Sequence, residues 1–99
     1  MDKYTMHSNY CDSLKEIYRA KNHDYDDSFA KSIDDIGYVA AITRMGDKMQ
    51  RAKALLLAND LRMVSDESVQ DTLLDLANYA LMTAVEFGIR KSEAESDQK

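Results

Sequence analysis

The chain has no proline and no tryptophan, and its 99 residues include only three glycines, at 37, 46 and 88. With breakers that scarce and little period-two alternation, an all-β sandwich or barrel is excluded and long helices are expected. A single cysteine, Cys11, excludes an internal disulfide and fits a reducing compartment. With two histidines beside that one thiol, His7 and His23, a Cys/His zinc site is not expected. No run of about 18 apolar residues occurs, so no membrane span is expected. Nor does Met1–His7 show the basic-then-apolar layout of a secretory signal, so the expected location is cytoplasmic. Positive charge is also short: 13 Lys and Arg against 18 Asp and Glu leave a net charge of −5. That balance is a poor footprint for a DNA or RNA duplex, yet a local basic stripe can still hold a small anion.

What is present reads as four helices in one all-α domain, a compact bundle of three to four helices over 1–90 followed by a polar tail, 91–99, expected to be disordered. The first helix, from Tyr4 or Ser8 to Lys21, places Tyr10, Leu14, Ile17 and Tyr18 on one face, with Cys11 beside them as a small core residue. Asn22 to Ser28 is rich in turn and capping residues and predicts a loop. Asp27 or Ser28 would cap a short helix carrying Phe29, Ile33 and Ile36 inward, and Gly37 would end it. A third helix over Tyr38–Leu57 has Ile42, Met45, Met49, Ala52 and Leu56 as its seam. Gly46 inside that helix costs about 1 kcal/mol relative to alanine. Either the helix tolerates it, or a neighbouring helix or a ligand approaches the backbone there.

Ser65 reads as the cap of a fourth helix over Asp66–Arg90, with acids in its first turn where the helix dipole favours them. Two apolar faces run along it. One holds Val69, Leu73, Leu76, Ala80, Ala84 and Phe87, the other Leu74, Ala77, Leu81 and Val85. Between Leu76 and Val85 it is apolar almost all round, which needs partners on both sides, and a chain this short implies a homo-oligomer.

Two charge stripes carry the chemistry. Arg44, Lys48 and Arg51 share one face of the third helix, with Asp47 beside them; Glu67, Asp71 and Asp75 share one face of the fourth. Like charges four apart repel by roughly 0.2–0.5 kcal/mol per pair, so each stripe calls for a counter-charge. Three readings are open: the stripes neutralise each other, the acids hold Mg²⁺, or the bases hold a phosphorylated ligand. Lys21, Asn22, His23, Asp24 and Tyr25 form a third element suited to a nucleotide, with charge for phosphate, an amide for base edges and a ring for stacking.

In order, Lys21-Asn22-His23-Asp24-Tyr25-Asp26-Asp27-Ser28-Phe29, then Arg44-x-x-Asp47-Lys48-x-x-Arg51, then Asp66-Glu67-x-x-x-Asp71-x-x-x-Asp75-x-x-Asn78-Tyr79-Ala80 resembles the nucleotide modification-associated domain family of phages and bacteria. The likeness covers about Tyr10 to Glu86. Members commonly carry glycine after the Asp-Tyr pair, where this chain has Asp26. The resemblance implies a small helical domain tied to nucleotide metabolism, in the host cytoplasm if phage-encoded. Such a protein would bind, and could sequester, a nucleotide or nucleotide-derived signal with no cofactor required. A looser similarity runs to MazG-type all-α pyrophosphohydrolases, which pair Glu-x-x-Glu with Glu-x-x-Asp helices around Mg²⁺. Glu67 to Asp75 approximates the second half with a spacing of four instead of three; the third helix, carrying Arg44, Asp47, Lys48 and Arg51, does not match the first. On that reading Glu67, Asp71 and Asp75 hold the metal and a bound water attacks phosphorus. A purely structural interaction module, with both stripes consumed by salt bridges, is the third alternative.

Overall fold

The computed structural model describes residues 2–24, 26–58 and 66–97, with side chains at all of these except 23, 24, 66, 67 and 97. The described residues form four helices: α1 Lys3–Asp24, α2 Ser28–Ile36, α3 Val39–Leu56 and α4 Asp66–Asp97. The all-α expectation is met: α2 and α3 begin and end within a residue or so of where sequence punctuation placed them, and α4 begins at Asp66 as expected. Gly37 ends α2 at φ 82°, and its N–H donates to the Ile33 carbonyl at 2.7 Å. That left-handed φ is the conformation glycine adopts without strain.

Three local expectations are corrected. Helix α1 runs on to Asp24, so Asn22–Asp24 belong to its last turn instead of a loop. The reversal into α2 is made by Asp26 and Asp27, both at positive φ (50° and 55°). Asp27 is the residue before α2 but caps nothing with its side chain. Residues 91–97 continue α4 as helix, with 91–96 fully exposed. Their Lys, Glu, Ala and Ser content sustains helical turns without packing. Tyr25 and the Ser65 cap lie outside the described residues.

The core is small. Phe29 and Ile33 of α2 pack with Ala40 and Ala41 of α3, and Met45, Tyr79 and Met82 close over them. Ala41 is wholly buried, and small residues here let α3 and α4 lie close together. Arg90 ties the far end of α4 to α2, donating to Asp34 Oδ1 at 2.7 Å and to the Ala30 carbonyl at 3.1 Å. Among the described residues of α1 only Leu14 is buried; Tyr10, Ile17 and Tyr18 are half-buried, and Cys11 is exposed with its sulfur 3.7 Å from His7 Nδ1. Cys11 is therefore no core residue, and the His7 neighbour one helical turn earlier went unread in the sequence.

The seam expected on α3 is divided. Met45 and Ala52 face inward, whereas Ile42, Met49 and Leu56 are exposed, as is Ile36 at the end of α2. Besides Ala40, Ala41, Met45, Ala52 and Leu55, α3 turns Arg44 and Lys48 toward the interior. Helix α4 shows the same inversion. Its buried residues are Thr72 and Asn78, while Leu73, Leu81, Val85 and Phe87 are exposed.

Candidate functional site

A cavity of about 280 Å³ lies where the end of α1, the start of α2 and the middles of α3 and α4 converge. Tyr18, Lys21 and Asn22 come from α1, Ser28 and Phe29 from α2, Arg44 from α3, and Asp75, Asn78, Tyr79 and Met82 from α4. Local sequence explains the convergence. Burial of Phe29 draws the first turn of α2 inward, and the left-handed pair Asp26–Asp27 aims that turn across the end of α1. Because no side chain caps α2, its first N–H groups carry the partial positive charge that favours an anion.

Arg44 is the centre of the arrangement. Its guanidinium carbon sits 5.8 Å from the ring centroids of both Phe29 and Tyr79, held by two aromatic faces. The rings are themselves in contact, with centroids 5.7 Å apart. One guanidinium nitrogen donates to Ser32 Oγ at 3.3 Å. None of the described ion pairs involves Arg44, so most of its five donors are unspent. The two lysines converge instead on a single acid: Lys21 Nζ lies 3.6 Å from Asp75 Oδ1, and Lys48 Nζ 3.3 Å from Asp75 Oδ2. Arg51 is turned away from the cavity, its Nε donating at 3.1 Å to the buried Thr72 hydroxyl, which donates in turn to the Ser68 carbonyl at 2.8 Å.

Among the described residues that line this cavity, Lys21 and Arg44 are the cations and Asp75 the one carboxylate, which Lys48 also reaches. Two neutral groups complete it. Asn78 is 6% exposed and lines the cavity, and its amide makes no hydrogen bond among the described residues. With no partner in the described protein and an opening onto the cavity, its donors and acceptor are available to a guest. Burial pushes the Tyr18 phenol above its ordinary value of 10.0, with Asp27 and Glu86 adding to the effect, so near neutral pH it remains a protonated donor.

Of the residues expected from the sequence, Lys21, Asn22 and Arg44 line the cavity, and Lys48 reaches its edge through Asp75. Asp47 is exposed on α3 and belongs to none of the described ion pairs. The side chains of His23, Asp24 and Glu67, and all of Tyr25, lie outside the described residues. As for the acids, Asp71 is exposed and Asp75 is flanked by two ammonium groups; no cluster of three His, Cys, Asp or Glu able to hold a metal occurs among the described residues. Sequence reasoning did not select Phe29, Ser32, Asn78 or Tyr79 as site residues. Asn78, a lone amide inside an otherwise apolar run, was the available signal.

The model of one protein family, described as nucleotide modification associated domain 1, matches residues 21–87. The chain belongs to that family. The matched span starts at Lys21 and takes in every cavity residue except Tyr18. No curated protein and no solved structure matches the chain. Among the described residues no helix is long and apolar enough to cross a membrane.

Proposed function

We propose that this family member binds a nucleotide in the cavity between α1, α2, α3 and α4. The observation that carries the reading is the pairing, in one cavity, of a guanidinium with no acid partner among the described residues and an unpartnered amide that opens onto the same space. Arg44 grips phosphate through its free donors, Lys21 and Lys48 add point charges, and the uncapped start of α2 supplies backbone donors. Asn78 pairs with a polar edge of the base or ribose, and Asn22 and Tyr18 offer further polar groups at the rim. A volume of about 280 Å³ lies at the low end of the range for small-molecule sites, which suits a mononucleotide-sized moiety.

The donor set favours holding over hydrolysis. A magnesium ion at Asp75 would have to displace two ammonium groups, whereas a phosphate arriving there meets them as partners. Binding of this kind is enough for sequestering a nucleotide signal in the cytoplasm. The test is isothermal titration with nucleoside mono-, di- and triphosphates, with Mg²⁺ or with EDTA, followed by mass analysis of the ligand. Saturable binding that persists in EDTA and returns intact ligand is expected. Metal-dependent product formation would establish the hydrolase instead, and silence across the panel would leave a structural module.

A further inference from the structure

We propose that a second copy of this chain docks on the exposed apolar face shared by α3 and α4, giving a four-helix bundle about a two-fold axis. The inference goes beyond ligand binding and rests on no property of the cavity. On α3, Val39, Ile42, Gly46, Met49 and Leu56 recur at spacings of three, four, three and seven, all of them exposed. On α4, Leu73, Ala77, Ala80, Ala84 and Phe87 recur at four, three, four and three, all exposed except the half-buried Ala77. Alternating threes and fours mark a seam packed against another helix. Here each seam turns away from its own chain: Ile42 is 63% exposed and Phe87 56%. The two strips adjoin, since Ile42, Ala84 and Phe87 line one groove together with Tyr38, Ala41 and Thr83. Every exposed residue of α4 from Leu73 to Ile89 is apolar or glycine, and the charged Asp75 and Glu86 of that stretch lie on the more covered side. A helix facing water shows the opposite distribution.

Three further observations select a second copy as the occupant. The chain exposes 7606 Å², against about 5,700 Å² for a globular monomer of its mass. The excess of about 1,900 Å², to which the exposed residues 91–96 and the outer side of α1 also contribute, leaves room for the roughly 800 Å² that each partner of a standard interface buries. Its radius of gyration is 16.2 Å, where about 12.6 Å is usual at this length. Finally, Gly46 sits in the middle of the α3 strip, and a methyl group added there would meet nothing within 4 Å in the single chain. The chain's own packing gives no reason for a glycine in mid-helix, whereas a helix from outside, approaching the backbone closely, does. Lys53, the one charge in the α3 strip, lies in the last turn, where its stem can cover apolar surface with the ammonium in solvent.

The test is sedimentation equilibrium of the full chain, wild type and three variants, with circular dichroism as a check on helix content. Wild type is expected at twice 11.3 kDa. Ile42→Glu places a charge in the seam of both copies and should weaken association by roughly a hundredfold or more. Gly46→Leu, whose Cβ would meet nothing within 4 Å in the single chain, should do the same with helix content retained. Leu81→Glu, at the edge of the face toward α1, should have the smaller effect. A wild type that sediments at 11.3 kDa up to ~100 μM overturns the proposal. So does a dimer that survives both Ile42→Glu and Gly46→Leu, or one broken by Leu81→Glu alone. Should Ile42→Glu lose its helicity, Gly46→Leu decides the outcome.

Discussion

The inner and outer faces of α4 are opposite in character to what a lone globular chain would show. The inner face carries Thr72, Asp75, Asn78 and Tyr79, three of them lining the cavity; the outer face carries Leu73, Ala80, Ala84 and Phe87. Helix α3 repeats the pattern, with Arg44 and Lys48 inward and Ile42 and Met49 outward. The difference teaches that polar and charged side chains take much of the interior of this chain, as the proposed ligand-binding role requires. Its apolar core is confined to a few residues around Phe29, and polar groups occupy positions that leucine would fill in a protein built for stability alone.

The sharpest way to break that contrast is to make the same change on each side. Phe29→Ala should cost about 3–5 kcal/mol in urea denaturation, because it opens a cavity in the one packed cluster. Phe87→Ala, measured in the Gly46→Leu background so that no second copy contributes, should cost under about 1 kcal/mol, since its ring is 56% exposed in the single chain. Equal costs would remove the distinction between the faces.

Next in size are the charges of the inner face. Arg44→Ala should weaken nucleotide affinity by about 2–3 kcal/mol, a factor of roughly 30–150 in titration. Folding stability should fall by no more than about 1 kcal/mol, from the loss of its contacts with Phe29 and Tyr79. Asp75→Asn should act in the opposite direction on binding. Freeing Lys21 and Lys48 from their shared acid raises the positive charge facing a phosphate, so affinity should rise severalfold, at a stability loss of about 0.5–1 kcal/mol. If Asp75 were a metal ligand instead, the same change would abolish metal-dependent binding, and the two readings separate on the sign.

Smaller still is an alkaline effect at Tyr18. Its phenol is raised in the folded protein, so the folded state holds that proton more tightly than the unfolded chain does. The associated stability is complete below about pH 10, the unfolded value, and is lost as pH rises through the folded value. Melting temperature should therefore decline above about pH 10, and Tyr18→Phe should flatten part of that decline. The smallest change expected is at Asp26→Gly. Position 26 has φ 50°, which glycine adopts freely. The substitution also removes an ion pair with Lys31 at 2.7 Å, fully exposed and worth little. A slight rise in melting temperature is the expected balance.

Which helices form was decided by the sequence alone, because their signals are local. The absence of proline, the left-handed Gly37 and the apolar periods act through neighbours three and four residues away. The two stripes were equally legible, as was the family likeness of the segment from Lys21 to Phe87. Tertiary structure alone decided which side of each helix is inside. Periodicity reports that Ile42, Met49 and Phe87 share faces with other apolar residues, but it carries no information on whether the partner belongs to the same chain. Nor could spacing show that one carboxylate, Asp75, answers two lysines while Arg44 rests against two rings with no acid partner among the described residues. Those pairings join α1, α2, α3 and α4 across long stretches of chain, and only the way the helices cross brings them within reach.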